Sequence, residues 1–237
     1  MDKPKSGEHS PQGESTPKIE FPQLGLSFSA RAYTTFLNLR TVIDRQIAEV
    51  ESKYPQLRCV KDCGNCCSEN FVVANSIEVA LIKHSLMAGG KGEVWEEALE
   101  RARKLDKVRD KESEETFVCP FYHETTKTCS VHSDRPLMCR LYLYEASMDE
   151  DDVMRHRICR VIRELTSGQN FAVPYVVPRD IAYYIAPAVA IYEAILGVED
   201  NKPWITDTRD LTDREIEFLW EEMEREIEEV RNKATSE

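Results

Sequence analysis

Apolar positions recur at helical spacing in several separate blocks of the chain. From about Ser29 to Tyr54 the residues Tyr33, Phe36, Leu37, Val42, Ile43, Ile47 and Val50 fall near one helical face, and Pro55 ends the run. After a short Phe71-Val72-Val73 stretch, Asn75 followed three residues later by Glu78 predicts a capped helix through Met87, stopped at Gly89-Gly90. Residues 93 to 109 repeat the amphipathic pattern with more charge, and Lys107 to Glu115 reads as an exposed link. Arg135-Pro136 predicts another helix start, because the N–H that proline lacks would be unpaired in a first turn anyway. Residues 171 to 179 are extended by composition. From Asp180 to Leu196 runs the most apolar segment, a predicted core helix that Pro187 kinks or divides. The last helix opens on a capping box, Thr212 to Glu215, and carries Ile216, Trp220, Met223, Ile227 and Val230 on a four-three seam. Such a seam docks on the body of the protein or pairs two copies into a homodimer, and docking is the commoner outcome for a single terminal helix.

The polar stretches set the boundaries. Residues 1–22 are rich in Pro, Ser, Gly, Lys and Glu with few aliphatic side chains, so they are expected to be a disordered tail. Residues 23–200 are expected to form the domain proper, and residues 201–237 an acidic amphipathic helix. No internal repeat and no alternation of strands and helices suggests a parallel sheet. The expected fold is therefore mainly α: an irregular helical domain with few or no strands, organised around a cysteine-ligated metal site.

Composition narrows the class. At 237 residues the chain can bury a core without covalent staples. A formal net charge of -12 argues against a broad nucleic-acid surface. No basic-apolar-small leader stands at the amino terminus and no apolar run approaches a membrane span, so a cytoplasmic protein is expected. In that compartment thiols stay reduced, and a dense cysteine set points to metal or chemistry rather than to disulfides.

All eight cysteines lie between Cys59 and Cys159. Cys59, Cys63, Cys66 and Cys67 are compressed into one run, and Cys119, Cys129, Cys139 and Cys159 follow in a second group. Thiols crowded at C-x3-C-x2-C-C spacing cannot all pair as disulfides, because a bridge needs a particular Cα separation and Cβ direction. A soft metal or an iron–sulfur core resolves the crowding. Zinc is commonly held by C-x2-C pairs, whereas iron–sulfur clusters accept closely spaced thiolates and a distant fourth. Eight thiolates suit two four-cysteine sites, or one such site with thiols left over. All eight are candidate metal ligands, with an iron–sulfur cluster favoured over zinc.

Neighbouring residues extend the picture. Arg135, Arg140, Arg155, Arg157, Arg160 and Arg163 are either ordinary surface partners or a set that offsets the charge of clustered thiolates. Cys139 would lie in an opening helical turn, where free N–H groups support a thiolate. His123 and His132 lie inside the second group and could replace a cysteine ligand or position a proton, although such residues more often sit behind the ligands. His84 and His156 fall in predicted helices with no stronger claim. Tyr122, Tyr142 and Tyr144 are packing residues or hydrogen-bond donors to a pocket.

The order Cys59, Cys63-Gly-Asn-Cys66-Cys67, Cys119-Pro-Phe, Cys129-Ser-Val-His, Arg135-Pro-Leu-Met-Cys139-Arg140 and Cys159-Arg160 resembles the CxxCxxCC cysteine-cluster family, YkgJ-like zinc- or iron-chelating proteins related to flagellin lysine N-methylases. The resemblance covers about residues 55 to 165. Two departures stand out: the first interval is x3 where the family has x2, and His132 replaces a usual tyrosine. The resemblance implies a metal site. Through the methylases it also implies an alternative, transfer of a methyl group from S-adenosylmethionine to a lysine of a protein substrate, or a redox reaction. The chain lacks the Gly-rich strand-to-helix fingerprint of many nucleotide sites.

Two rival readings use the same cysteines. Cys59, Cys63 and Cys66 resemble the C-x3-C-x2-C triplet of radical S-adenosylmethionine enzymes, but Asn65 stands where that motif is usually aromatic and five further cysteines stay unexplained. The other rival is a non-catalytic zinc-stabilised scaffold that binds a protein partner. The catalytic residues are not legible from the sequence.

Overall fold

The computed structural model describes residues 17–59, 63–69, 72–108, 118–142, 146–148, 154–156, 185–202, 208–209 and 212–234. Helices dominate these residues, and the strands are short and paired only two by two. The mainly α expectation is met, because the longest apolar patterns in the chain have helical period.

The chain enters through an antiparallel hairpin, β1 (Lys18–Phe21) and β2 (Leu26–Ser29). Gly25 turns it at a φ of 65°, in the left-handed region that favours glycine. Of the predicted 1–22 tail, residues 1–16 lie outside the described residues, and Lys18–Phe21 is strand. Phe21 is what anchors it, being buried with its ring edge-on to Phe28, Tyr33 and His84.

Ser29 caps α1 (Ala30–Lys53) by accepting from the Ala32 N–H at 3.3 Å. Phe36, Leu39 and Ile43 of its apolar face are fully enclosed. The predicted capping box opens α3 (Ser76–Ala88), which follows the short α2 (Asn65–Glu69) and the two-residue strand β3 (Val73–Ala74). Next comes α4 (Gly92–Val108), close to its predicted span.

The apolar segment from Asp180 takes a different course from the one expected. Among its described residues, Val189–Ala190 form a strand that pairs antiparallel with β3, and the helix runs only from Ile191 to Glu199. Pro187 withholds a backbone donor upstream, and the Ile191 N–H bonds to the Val72 carbonyl at 3.0 Å, so the helix nucleates later. This helix, α6 in chain order after α5 (Leu137–Leu141), packs against α3 and α4. Lys83 of α3 donates to Glu199 of α6 at 2.7 Å, and the Trp95 indole of α4 donates to the same oxygen at 3.1 Å. The Lys83 ammonium also lies 5.0 Å from the Trp95 ring centre. One carboxylate thus ties three helices at their shared edge.

Thr212 and Glu215 form the predicted capping box at the start of α7 (Asp213–Ala234). Ile216 and Trp220 pack on the core, whereas Phe218 is exposed. The seam residues Met223, Ile227 and Val230 lie outside the described side chains, as does the predicted extended segment 171–179. His156, expected in a helix, ends a strand instead: Met154–His156 pairs with Ala146–Met148 as an antiparallel hairpin.

Candidate metal centre

Three local structures converge to build the centre. The first is the turn from Cys63 into α2. Here Gly64 packs so closely that a Cβ would meet the Tyr122 ring at 2.6 Å and the Lys127 carbonyl at 2.8 Å. Its carbonyl accepts from the N–H groups of Cys67 and Ser68, so the motif glycine both closes the turn and admits the neighbouring hairpin.

The second is that hairpin, β4 (Tyr122–His123) and β5 (Thr128–Cys129). Lys127 takes a positive φ of 56° in its turn, and the His123 ring accepts from the Thr126 N–H at 3.2 Å. His123 is therefore a turn cap. Arg101 of α4 donates to the carbonyls of Pro120 and Tyr122 at 2.7 and 2.6 Å, fixing the bend after Cys119. The two cysteine segments are joined directly where the Cys119 N–H bonds to the Cys67 carbonyl at 3.0 Å, and where Cys63 bridges Thr128.

The third is α5, which carries Cys139 and begins after Pro136 rather than on it. Glu78 fixes its start. One oxygen of that buried carboxylate completes the α3 capping box on Asn75, and the other accepts the Leu137 N–H at 2.6 Å. Burial raises the Glu78 carboxyl above its ordinary range, against the lowering effect of these two backbone donors. Arg140 anchors the far side of α5 to Asp44 of α1 at 3.0 Å.

These supports bring five sulfurs into one network. Cys66 neighbours Cys139 and Cys67, and Cys67 in turn neighbours Cys119 and Cys129, near enough for each pair to shift the other's protonation. Cys67, Cys119 and Cys129 are buried, and Cys66 and Cys139 are partly buried. The hydrogen bond from Cys139 is the largest cause that pulls Cys66 down to about 3, helped by Cys67 and by the charges of Arg135 and His132. Cys129 is lowered chiefly by its bond with Cys67. Cys67 and Cys139 are raised: Cys67 by its bonds to Cys119, Cys129 and Cys66, and Cys139 by its bond to Cys66, by burial and by neighbouring thiolates. Cys139 lies in the opening turn of α5, as expected, but its bond to Cys66 and its burial outweigh any support for a thiolate there.

The chemistry of the donor set, all thiols, suits a soft metal. A thiol has a single proton, yet Cys67 has three sulfur neighbours. Arg135 adds a buried Nε with no acceptor, and its charge reaches Cys66 and Cys129. Both features suit metal–thiolate bonding, which supplies the missing partners and carries negative charge toward the guanidinium. Among the described residues no group of three or more His, Cys, Asp or Glu side chains is placed to hold a metal ion as it stands. Metal entry would therefore replace thiol–thiol hydrogen bonds and expel their protons.

The other candidate ligands are placed less centrally. Cys59 lies 3.4 Å from the His132 ring nitrogen Nε2, and the Cys63 sulfur accepts from the Asn65 N–H at 3.5 Å. Cys159 lies outside the described residues, as do Tyr144 and the side chains of Arg155, Arg157, Arg160 and Arg163.

A family model matches residues 58–160, with the description "Putative zinc- or iron-chelating domain". This part of the chain is similar to the CxxCxxCC family. No curated protein and no solved structure matches the chain. The matched region includes every candidate cysteine but not all of their supports, since Asp44 precedes it. Among the described residues no helix is long and apolar enough to cross a membrane.

The sequence did not reveal which residues position the thiols. Glu78 is recognisable as a helix cap, but its second bond spans 59 positions to Leu137 and leaves no local trace. Gly64 carried a usable signal, a glycine inside the tightest cysteine run. Arg101 carried none.

Proposed function

We propose that this cysteine-rich region holds an iron–sulfur cluster on thiolates from both cysteine segments, drawn from Cys66, Cys67, Cys119, Cys129 and Cys139. The observation that carries this reading is the contact network in which the chain neighbours Cys66 and Cys67 both take part and together reach three thiols of the second segment. A mononuclear zinc site takes four ligands, fewer than the five sulfurs gathered here. A multi-iron core offers several metal corners to crowded thiolates. In this role the centre fastens α2, the β4–β5 hairpin and α5 together and organises the fold around it.

Zinc is the second reading, favoured by the burial of Cys67, Cys119 and Cys129, which suits a closed structural site. Lysine methylation rests on family resemblance alone. Anaerobic purification followed by iron, zinc and acid-labile sulfide analysis and visible absorption tests the proposal. Iron and sulfide in comparable amounts with a visible charge-transfer band are expected. Colourless protein with stoichiometric zinc and no sulfide would overturn it.

A further inference from the structure

Arg135 stands in the run between Cys129 and Cys139, and the fold holds it from both sides. It closes the 3-10 turn His132–Asp134, its carbonyl accepts from Arg140 Nε at 3.0 Å, and the buried Pro136 follows. Its Nη1 lies against the His132 ring and donates to the His132 carbonyl at 3.2 Å. Its Nε is buried and has no acceptor among the described residues. A buried donor on a cation is costly to leave unpaired, so its acceptor must lie close by. The neighbouring carboxylates are engaged: Asp134 accepts from Ser85 and Ser133, Asp44 from Arg140, and Glu78 from two backbone N–H groups. That leaves the sulfurs. The charge of Arg135 reaches Cys66 and Cys129, one from each cysteine segment, and favours the thiolate at both.

We propose that Arg135 is the charge partner of the metal centre: its Nε–H donates to a thiolate ligand there, and its cation sets how much negative charge the centre holds. The inference rests on the metal-centre reading above and adds to it a residue that binds no metal. Arg140 does not compete for the role, because its nitrogens are occupied by Asp44 and by the carbonyls of Ser133 and Arg135. A hydrogen bond to sulfur and a fixed cation stabilise the more negative, reduced form of an iron–sulfur cluster, and so raise its potential. In a zinc site the same two features make the thiolates weaker nucleophiles, and the metal is kept longer.

The experiment compares full-length wild type, Arg135→Met and Arg135→Lys, each loaded anaerobically with iron and sulfide. The potential is read by spectroelectrochemical titration at matched cluster content. A hydrogen bond to a charged group is worth about tenfold in an equilibrium. Arg135→Met is therefore expected to disfavour reduction by about tenfold, or about 59 mV for a one-electron couple, and Arg135→Lys to regain part of the shift through charge without the Nε–H. A merely structural Arg135 would lower the urea stability of the metal-free protein and the yield of clusters while leaving the potential of those that load unmoved. If Arg135→Met fails to fold, Arg135→Lys carries the comparison, with a smaller shift in the same direction. If the centre takes zinc instead, the readout is the rate of zinc release by iodoacetamide, expected to rise about tenfold in Arg135→Met. A loaded centre whose potential or zinc-release rate is the same in the variants as in wild type overturns the role of Arg135 alone. A wild-type protein that holds neither an iron–sulfur cluster nor zinc overturns both this inference and the metal-centre reading.

Discussion

Glu78 and Leu137, 59 positions apart, share a hydrogen bond of 2.6 Å that ties the start of α3 to the start of the helix carrying Cys139. The carboxylate accepts two backbone donors, Asn75 and Leu137, one on each oxygen. Glu78→Gln keeps the size but turns one acceptor into a donor facing an N–H. It should cost about 1–3 kcal/mol, the range for leaving buried polar groups unpaired. Urea unfolding measures the loss.

The same residue predicts a pH dependence. Burial raises the Glu78 carboxyl above its ordinary value near 4.5 in the folded protein. Its stabilising contribution is then complete below the unfolded value and is lost as pH rises through the higher folded value. The stability gap between wild type and Glu78→Gln should accordingly widen on acidification across that window. A gap that is constant with pH, measured by urea unfolding over the acidic range, would contradict the raised value.

What could be read from the chain, and what could not, divides by distance along the sequence. The capping boxes at Asn75 and Thr212, and helices α1, α3 and α4, depend on residues within one turn of one another, and they were legible. The late start of α6 depends on the Val189–Ala190 strand pairing with β3, more than a hundred residues upstream, and was not. The candidate site divides in the same way. The sulfurs were visible as residue types, but their partition was not, because the hub role of Cys67 is set by where the hairpin and α5 are held. Gly64, Arg101, Glu78 and Arg140 hold them there.

Gly64 predicts the steric limit of the motif. A methyl group there meets a ring carbon of Tyr122 and a backbone oxygen of Lys127 well inside contact distance. The Tyr122 ring can yield, but the Lys127 carbonyl belongs to a turn already held at positive φ. Gly64→Ala should therefore destabilise the protein by about 1–3 kcal/mol, the usual cost of overpacking. It should also lower metal content by separating Cys63–Cys67 from the hairpin. Thermal unfolding and metal analysis of the same sample give both readings, and unchanged values would show that the turn moves freely.

Cys66 and Cys139 should differ in reactivity before metal is bound. The hydrogen bond from Cys139, joined by that from Cys67, holds Cys66 near 3, so it is a thiolate throughout the neutral and mildly acidic range. Cys139 is raised by the same bond and by burial, and stays protonated. Brief iodoacetamide treatment of metal-free protein at pH 6 should label Cys66 in preference to Cys139, located by peptide mass spectrometry. The low basicity of Cys66 reduces its nucleophilicity but does not abolish it. Equal labelling of the two would show that the proton is not partitioned as described.

Cys67→Ser separates the sulfur from the backbone at the hub. The Cys67 carbonyl still accepts the Cys119 N–H in the variant, so the backbone tether between the two cysteine segments survives. A hydroxyl can replace one thiol hydrogen bond, and the metal-free protein should lose only about 1 kcal/mol. Metal binding should suffer far more, because a neutral hydroxyl is a poor ligand for a soft metal and Cys67 is the sulfur that reaches Cys66, Cys119 and Cys129. The expected outcome is a near-normal unfolding curve without metal together with loss of most bound metal and of any visible absorption. Full metal content in Cys67→Ser would place the centre on the remaining sulfurs and leave Cys67 as a packing residue.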